Sequence, residues 1–249
     1  MYSPSASHVT PGGPGTLPIR VVLRPVDIIR PTVPLLISRS ALAPIVAFAA
    51  LFTILAAEVG LPLVTSAIFG GLGGAVSLLF HELGHVRAAS SVKSVRPVAV
   101  SFIWAGAATT LEGRYRTGRD QARVAIGGPQ ASFTFALTLM AVTFVLPMSP
   151  QVRDLLLLLA FLNIALGLLN LVPAYPLDGY KVAAGLLWAA TGSEREARQI
   201  LRRIGIGWAA LEGSAALLLL VEKPPVGGLA LMVGSALLMQ KRLMAARAS

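Results

Sequence analysis

The chain has 249 residues, enough for one domain of moderate size. Hydrophobic residues make up 55% and charged residues only 13%, against roughly 25% charged in ordinary globular domains, and the mean hydropathy is +0.74. That excludes a conventional soluble domain and points to lipid as the solvent; the absence of cysteine excludes disulfides and thiolate-bound metals, and the formal charge of +10 has to be explained by its placement.

Residues 1–18, MYSPSASHVTPGGPGTLP, are rich in Pro, Gly and Ser and lack the basic and apolar regions of a signal peptide, so they read as loosely held. From Ile19 to Arg39 apolar residues are broken up by Pro25, Pro31 and Pro34, and the stretch is either extended or laid on the membrane surface. Residues 1–39 are thus expected to be a flexible, peripheral cytoplasmic segment, and 40–249 the membrane-embedded domain.

Runs of bilayer-spanning length, about 17–25 apolar residues each, then follow. They are Ser40–Ala57, Leu61–Arg87, Val124–Val152, and Leu155–Leu177 with a helical extension to Ala190 beyond a break at Pro173 and Pro176. Two more are Ile204–Val221, interrupted by Glu212, and Pro224–Gln240. Between the second and third lies VRPVAVSFIWAGAATTLEGRYR, β-branched, aromatic and broken at Gly106, which predicts two short extended segments around a turn. Ser193–Arg203 reads as a charged amphipathic connector on the headgroups. The expected fold class is an all-α polytopic membrane protein of about six transmembrane helices, with a β-hairpin between the second and third.

Basic residues fix the orientation. With the N-terminus in the cytoplasm, all of the 21 Lys and Arg except Arg153 and Lys223 fall on the inside, a strong positive-inside bias that also leaves the C-terminus cytoplasmic. The net charge is therefore mainly a topology signal with anionic lipid as counter-charge, and no nucleic-acid partner is expected.

The second span ends in LLFHELGHVRA, three titratable side chains in an oily run. Helical residues four apart share a face, so His81 and His85 can bind one divalent ion, and Glu82 stands close enough to act on a bound water: the H-E-x-x-H arrangement. A carboxylate in mid-membrane costs about 2.5–3.5 kcal/mol on insertion scales, and zinc is the partner that offsets it. The competing structural reading is a hydrogen-bonded histidine pair with a snorkelling glutamate. Two histidines make an incomplete site, and the candidates for a third ligand are few: His8 in the N-terminal segment, Glu212, and Asp178 in NLVPAYPLDGYK. There the prolines break the fourth span and need a protein- or water-lined cavity for the freed carbonyls. At about 1.5 Å per helical residue, His81 and Asp178 reach similar depths near the cytoplasmic third of the bilayer. Glu212 has no such motif and reads as structural.

These residues resemble the site-2 protease family of intramembrane zinc metalloproteases. The match is HELGH at His81–His85, followed about ninety residues later by N-x-x-P-x-x-x-L-D-G at Asn170, Pro173, Leu177, Asp178 and Gly179. It covers roughly residues 63–190. The resemblance implies one Zn²⁺ per chain held by His81, His85 and Asp178, Glu82 as the catalytic acid/base, and Asn170 at the active site beside the substrate carbonyl or its oxyanion. The family's glycine-proline motif in the third span, usually ending in Asn, reads GGPQASF here, with Ser132 in the Asn position. No PDZ insert or C-terminal regulatory module is apparent, so a minimal catalytic core is expected.

The implied function is intramembrane endoproteolysis of single-span substrates, such as membrane-anchored regulators, in a bacterial cell membrane. The extended stretch Val98–Glu112 would offer a strand edge to catch an unwound substrate; otherwise it is a hairpin that only packs. Two rivals stand: a non-proteolytic zinc-binding membrane regulator, and another membrane metalloprotease type whose third ligand is a glutamate. Glu82 argues against the first and the Leu-Asp-Gly motif against the second.

Overall fold

The computed structural model describes residues 19–21, 33–38, 41–103, 106–201 and 203. The last two predicted spans lie outside these residues, as do Glu212 and His8. The described chain is mostly helical, with one small sheet. Its helices are α1 (Leu42–Glu58), α2 (Leu63–Ser90), α3 (Gly118–Val145), α4 (Pro150–Asn170) and α5 (Asp178–Thr191), with a further helical stretch at 194–201. By length and composition α2, α3 and α4 can each cross a membrane, and α1 is a shorter apolar helix of 17 residues.

The helix limits differ from the apolar runs because capping, not hydropathy, sets them. α3 starts at Gly118, ahead of the predicted Val124, because Thr117 is its N-cap: the Thr117 hydroxyl accepts from the Asp120 N–H, and Asp120 lies in the positive first turn. Ser149 caps α4 in the same way through the Val152 N–H, with Pro150 in the first turn where its missing N–H costs nothing. The predicted break between α4 and α5 falls at 171–177, around Pro173 and Pro176.

α2 buries a face made largely of small residues: Ser66, Gly70, Gly74, Ser77, His81, His85 and Ala89, spaced three or four apart. Its opposite face exposes Val64, Ile68 and Leu72, as a helix surrounded by lipid should. Phe52 and Phe48 of α1 pack where Cβ atoms on Gly70 and Gly74 would stand. The main apolar core gathers Phe52, Ala56, Ala136, Leu139, Leu155 and Leu159 from α1, α3 and α4. α2 and α3 cross backbone on backbone, since a Cβ on Gly127 would lie 2.5 Å from the Gly84 carbonyl oxygen. Only glycine at both positions allows that approach.

The sheet has the order β1-β2-β3-β4, from Ile19–Val21, Leu35–Ile37, Val95–Ile103 and Gly106–Gly113. β3 and β4 form the predicted hairpin, closed by the pairing of Ile103 with Gly106, whose φ is +123°. β2 runs parallel to β3, with Leu35 opposite Val100, and β1 pairs antiparallel with β2. The Pro-interrupted stretch after Ile19 therefore contributes extended strands. Val100 and Phe102 pack on Val86, seating the sheet against the histidine-bearing end of α2. Among the described residues β1 and β4 are the sheet's two outer strands.

Candidate metal centre

Two elements distant in sequence meet at one point. His81 and His85 come from α2; Asp178 opens α5. The Nε2 atoms of both imidazoles lie 3.0 Å from the same oxygen, Asp178 Oδ2, and one ligand atom from each of the three residues falls within 4.8 Å of the others. With Glu82, these residues are only 4–7% exposed. The two rings stand 5.2 Å apart at 75°, converging on the carboxylate rather than stacking.

Each side chain is placed by local sequence. The helical four-residue step puts both imidazoles on the buried face of α2. Asp178 arrives because α4 stops at Asn170 and the chain turns before α5 begins. Gly179 is what lets α5 start there: a Cβ on it would overlap the Leu171 and Val172 carbonyl oxygens at the end of α4. Gln121 of α3 ties the first turns of α5 in place by donating to the Lys181 carbonyl at 3.0 Å.

α3 supplies no ligand but touches both rings. The Val124 carbonyl accepts a hydrogen bond from His85 Nδ1–H at 2.8 Å. Ser132 Oγ lies 2.9 Å from His81 Nδ1. Between them sits Gly128, and a Cβ there would overlap the Nε2 atoms of both histidines. Such bonds to the far ring nitrogen select the tautomer and ring orientation of metal-binding histidines.

These contacts test whether a divalent ion fits. Because a carbonyl only accepts, His85 Nδ1 must carry a proton, so in the neutral ring Nε2 presents a lone pair to Asp178 Oδ2. Two acceptors 3.0 Å apart require a proton or a cation between them. Ligand atoms about 2.0–2.1 Å from a tetrahedral ion stand roughly 3.3 Å from one another, so the two nitrogen–oxygen spacings need to open by only a few tenths of an ångström. The missing side chain of Gly128 leaves room beside both nitrogens. A nitrogen, nitrogen, oxygen donor set with no sulfur suits zinc. The residues fit the ion.

The remaining expected residues are placed as follows. Glu82 sits beside the histidines with its carboxylate accepting a 2.7 Å hydrogen bond from the Thr109 hydroxyl of β4. Asn170, at the last turn of α4, donates to the Leu166 carbonyl at 2.9 Å and makes no hydrogen bond to the trio. Val98–Glu112 forms most of the β3–β4 hairpin. Three contacts were not legible beforehand: Thr109, Lys181 and the Val124 carbonyl. For Lys181 the available signal is its place three residues beyond Asp178, an i,i+3 ion pair on any helix starting there. Nothing local marked the other two.

The model of peptidase family M50 matches residues 147–211, a stretch holding Asn170 and Asp178 but not the histidines. "Putative zinc metalloprotease Rip3" of Mycobacterium tuberculosis is 36% identical over 163 residues, 61% of this chain and 38% of the relative. "Putative zinc metalloprotease sll0528" of Synechocystis is 32% identical over 137 residues, 54% of this chain and 36% of the relative. "Zinc metalloprotease MJ0392" of Methanocaldococcus jannaschii is 30% identical over 112 residues, covering 45% of this chain and 32% of the relative. The chain thus spans about a third of the length of these relatives. In fold it is similar to the solved site-2 protease from Methanocaldococcus jannaschii, with a TM-score of 0.53 and 21% identity over 88% of this chain and 90% of that one.

Proposed function

We propose, from the premise that this chain belongs with the site-2 proteases of peptidase family M50, that it is a membrane-embedded zinc endopeptidase cleaving transmembrane segments of single-span substrates. The observation that carries the reading is the convergence of His81, His85 and Asp178 on one point, beside the buried carboxylate of Glu82. A purely structural ion site has no need of that fourth, non-ligating acid.

His81, His85 and Asp178 would hold one Zn²⁺. When bound, the ion supplies Lewis acidity and brings the pKa of water to about 7. Glu82 takes the proton from the attacking water as its oxygen adds to the substrate carbonyl carbon. It then delivers that proton to the amine nitrogen as the C–N bond breaks, leaving a new carboxyl terminus and a new amine. Asn170 has a second amide N–H beyond the one given to Leu166, available to a developing oxyanion. The substrate helix must unwind to expose its peptide bond, and strand addition along β4 would hold it extended.

In this reading residues 40–249 are the protease domain and 1–39 a peripheral segment that lends strands to the sheet. Both termini face the cytoplasm of a bacterial cell, and membrane-anchored regulators are the substrate class. The test is co-expression with a single-span candidate substrate, comparing wild type with Glu82→Gln. Zinc retained and cleavage lost supports the protease. Equal processing by both proteins favours the non-proteolytic zinc-binding regulator.

A further inference from the structure

The hydroxyl of Thr109 is an unexpected polar group in an apolar setting. Along β4, Ala107, Thr109 and Leu111 turn inward while Ala108, Thr110 and Glu112 are exposed. Ala107 packs on the cluster of Val86, Val100 and Phe102, and Leu111 on that of Ala89, Val92, Val95 and Val124. Thr109 is therefore gripped on both sides by neighbours in the same strand. Valine would fill the same volume, so packing alone does not require the oxygen. That oxygen lies 2.7 Å from Glu82 Oε2 and 3.2 Å from the Glu82 backbone carbonyl. One hydroxyl thus engages both ends of a single residue, which restricts the rotamers of a long, flexible side chain.

We propose that Thr109 is a positioning residue for Glu82: its hydroxyl occupies one carboxylate oxygen and leaves the other to face the reacting water. The inference rests on the protease reading and deepens it. The strand assigned to catch the substrate is the same strand that orients the base. Displacement of β4 is then felt directly at the carboxylate, and a substrate that seats the strand well also sets the base.

The test uses the full chain in detergent or liposomes, with Thr109→Val to remove the hydroxyl and Thr109→Ser to restore it. Cleavage of a single-span substrate, zinc content and the infrared carboxylate band obtained by difference against Glu82→Gln are measured on each. Thr109→Val should lower kcat about 10–100-fold, the order set by losing one hydrogen bond to a charged group, with KM and zinc content unchanged and the Glu82 band shifted. Thr109→Ser should bring both kcat and the band back toward wild type. Wild-type kcat in Thr109→Val, or a loss that Ser does not repair with the band unmoved, overturns the proposal. If wild type shows no Glu82-dependent cleavage, the protease reading falls and the catalytic role of Thr109 with it. The band still reports separately whether the hydrogen bond exists.

Discussion

Lys181 Nζ lies 3.1 Å from Asp178 Oδ1, the carboxylate oxygen not shared by the imidazoles. The pair spans i,i+3 in the first turn of α5 and leaves Oδ2 as the single oxygen directed at His81 and His85. Occupying Oδ1 leaves Asp178 one oxygen to offer an ion held by the trio and steadies the carboxylate plane. The Lys181 side chain is 58% exposed, so solvent weakens the contribution. Lys181→Met should weaken zinc binding by about tenfold, the lower end for an outer-shell partner, and Lys181→Arg should retain most of it. Competition with a fluorescent chelator measures both.

Gly128 offers a sharper test of the site's position. A methyl group there meets two imidazole nitrogens at once, and neither ring can retreat while its Nδ1 is bonded to α3. Gly128→Ala is expected to lose most bound zinc and all cleavage while the chain remains folded. Zinc per chain and the melting temperature in detergent, taken together, check this.

The Ser132 hydroxyl is fully buried and its partner is His81 Nδ1. Ser132→Ala should cost about 10–100-fold in zinc affinity or activity by freeing that ring. Thr134→Ala, which removes an exposed hydroxyl bonded only to its own helix at the Gln130 carbonyl, is the control and should behave as wild type.

Metal removal should be visible in stability as well as in activity. The trio has no reason to exist in the unfolded chain, so zinc at a hundred times its dissociation constant should stabilise the fold by about 2.7 kcal/mol. A chelator should lower the melting temperature and readdition of zinc should restore it. Variants lacking His81, His85 or Asp178 should melt at the same temperature with and without zinc.

The residues that converge were readable because each rests on a local rule. Histidines four apart share a helix face, and two prolines followed by Leu-Asp-Gly stop one helix and aim the next. The hairpin was readable from β-branched residues around Gly106. Helix ends were less so: Thr117 with Asp120, and Ser149 with Val152, extend helices into polar sequence that hydropathy counts against a span. Strand β2 was hidden because its partner β3 lies some sixty residues on, in a parallel register no local pattern encodes. Thr109 and Val124 were hidden for a related reason. Their roles exist only once β4 and α3 have docked on α2, and neither residue type carries a chemical signature of its own.

The crossing at Gly84 and Gly127 carries a consequence for how the centre can fail. One face of α3 presents a carbonyl, a gap and a hydroxyl that together act as a mould for the two rings. Because the helices meet main chain to main chain there, only the methyl groups of Ala88 and Ala131 stand beside the crossing, and they give little room to absorb a shift. A slide or roll of α3 would unlatch both imidazoles in a single movement, so damage far along that helix reaches the centre undiminished, and its tolerance to mutation is governed as much by this seam as by the ligands.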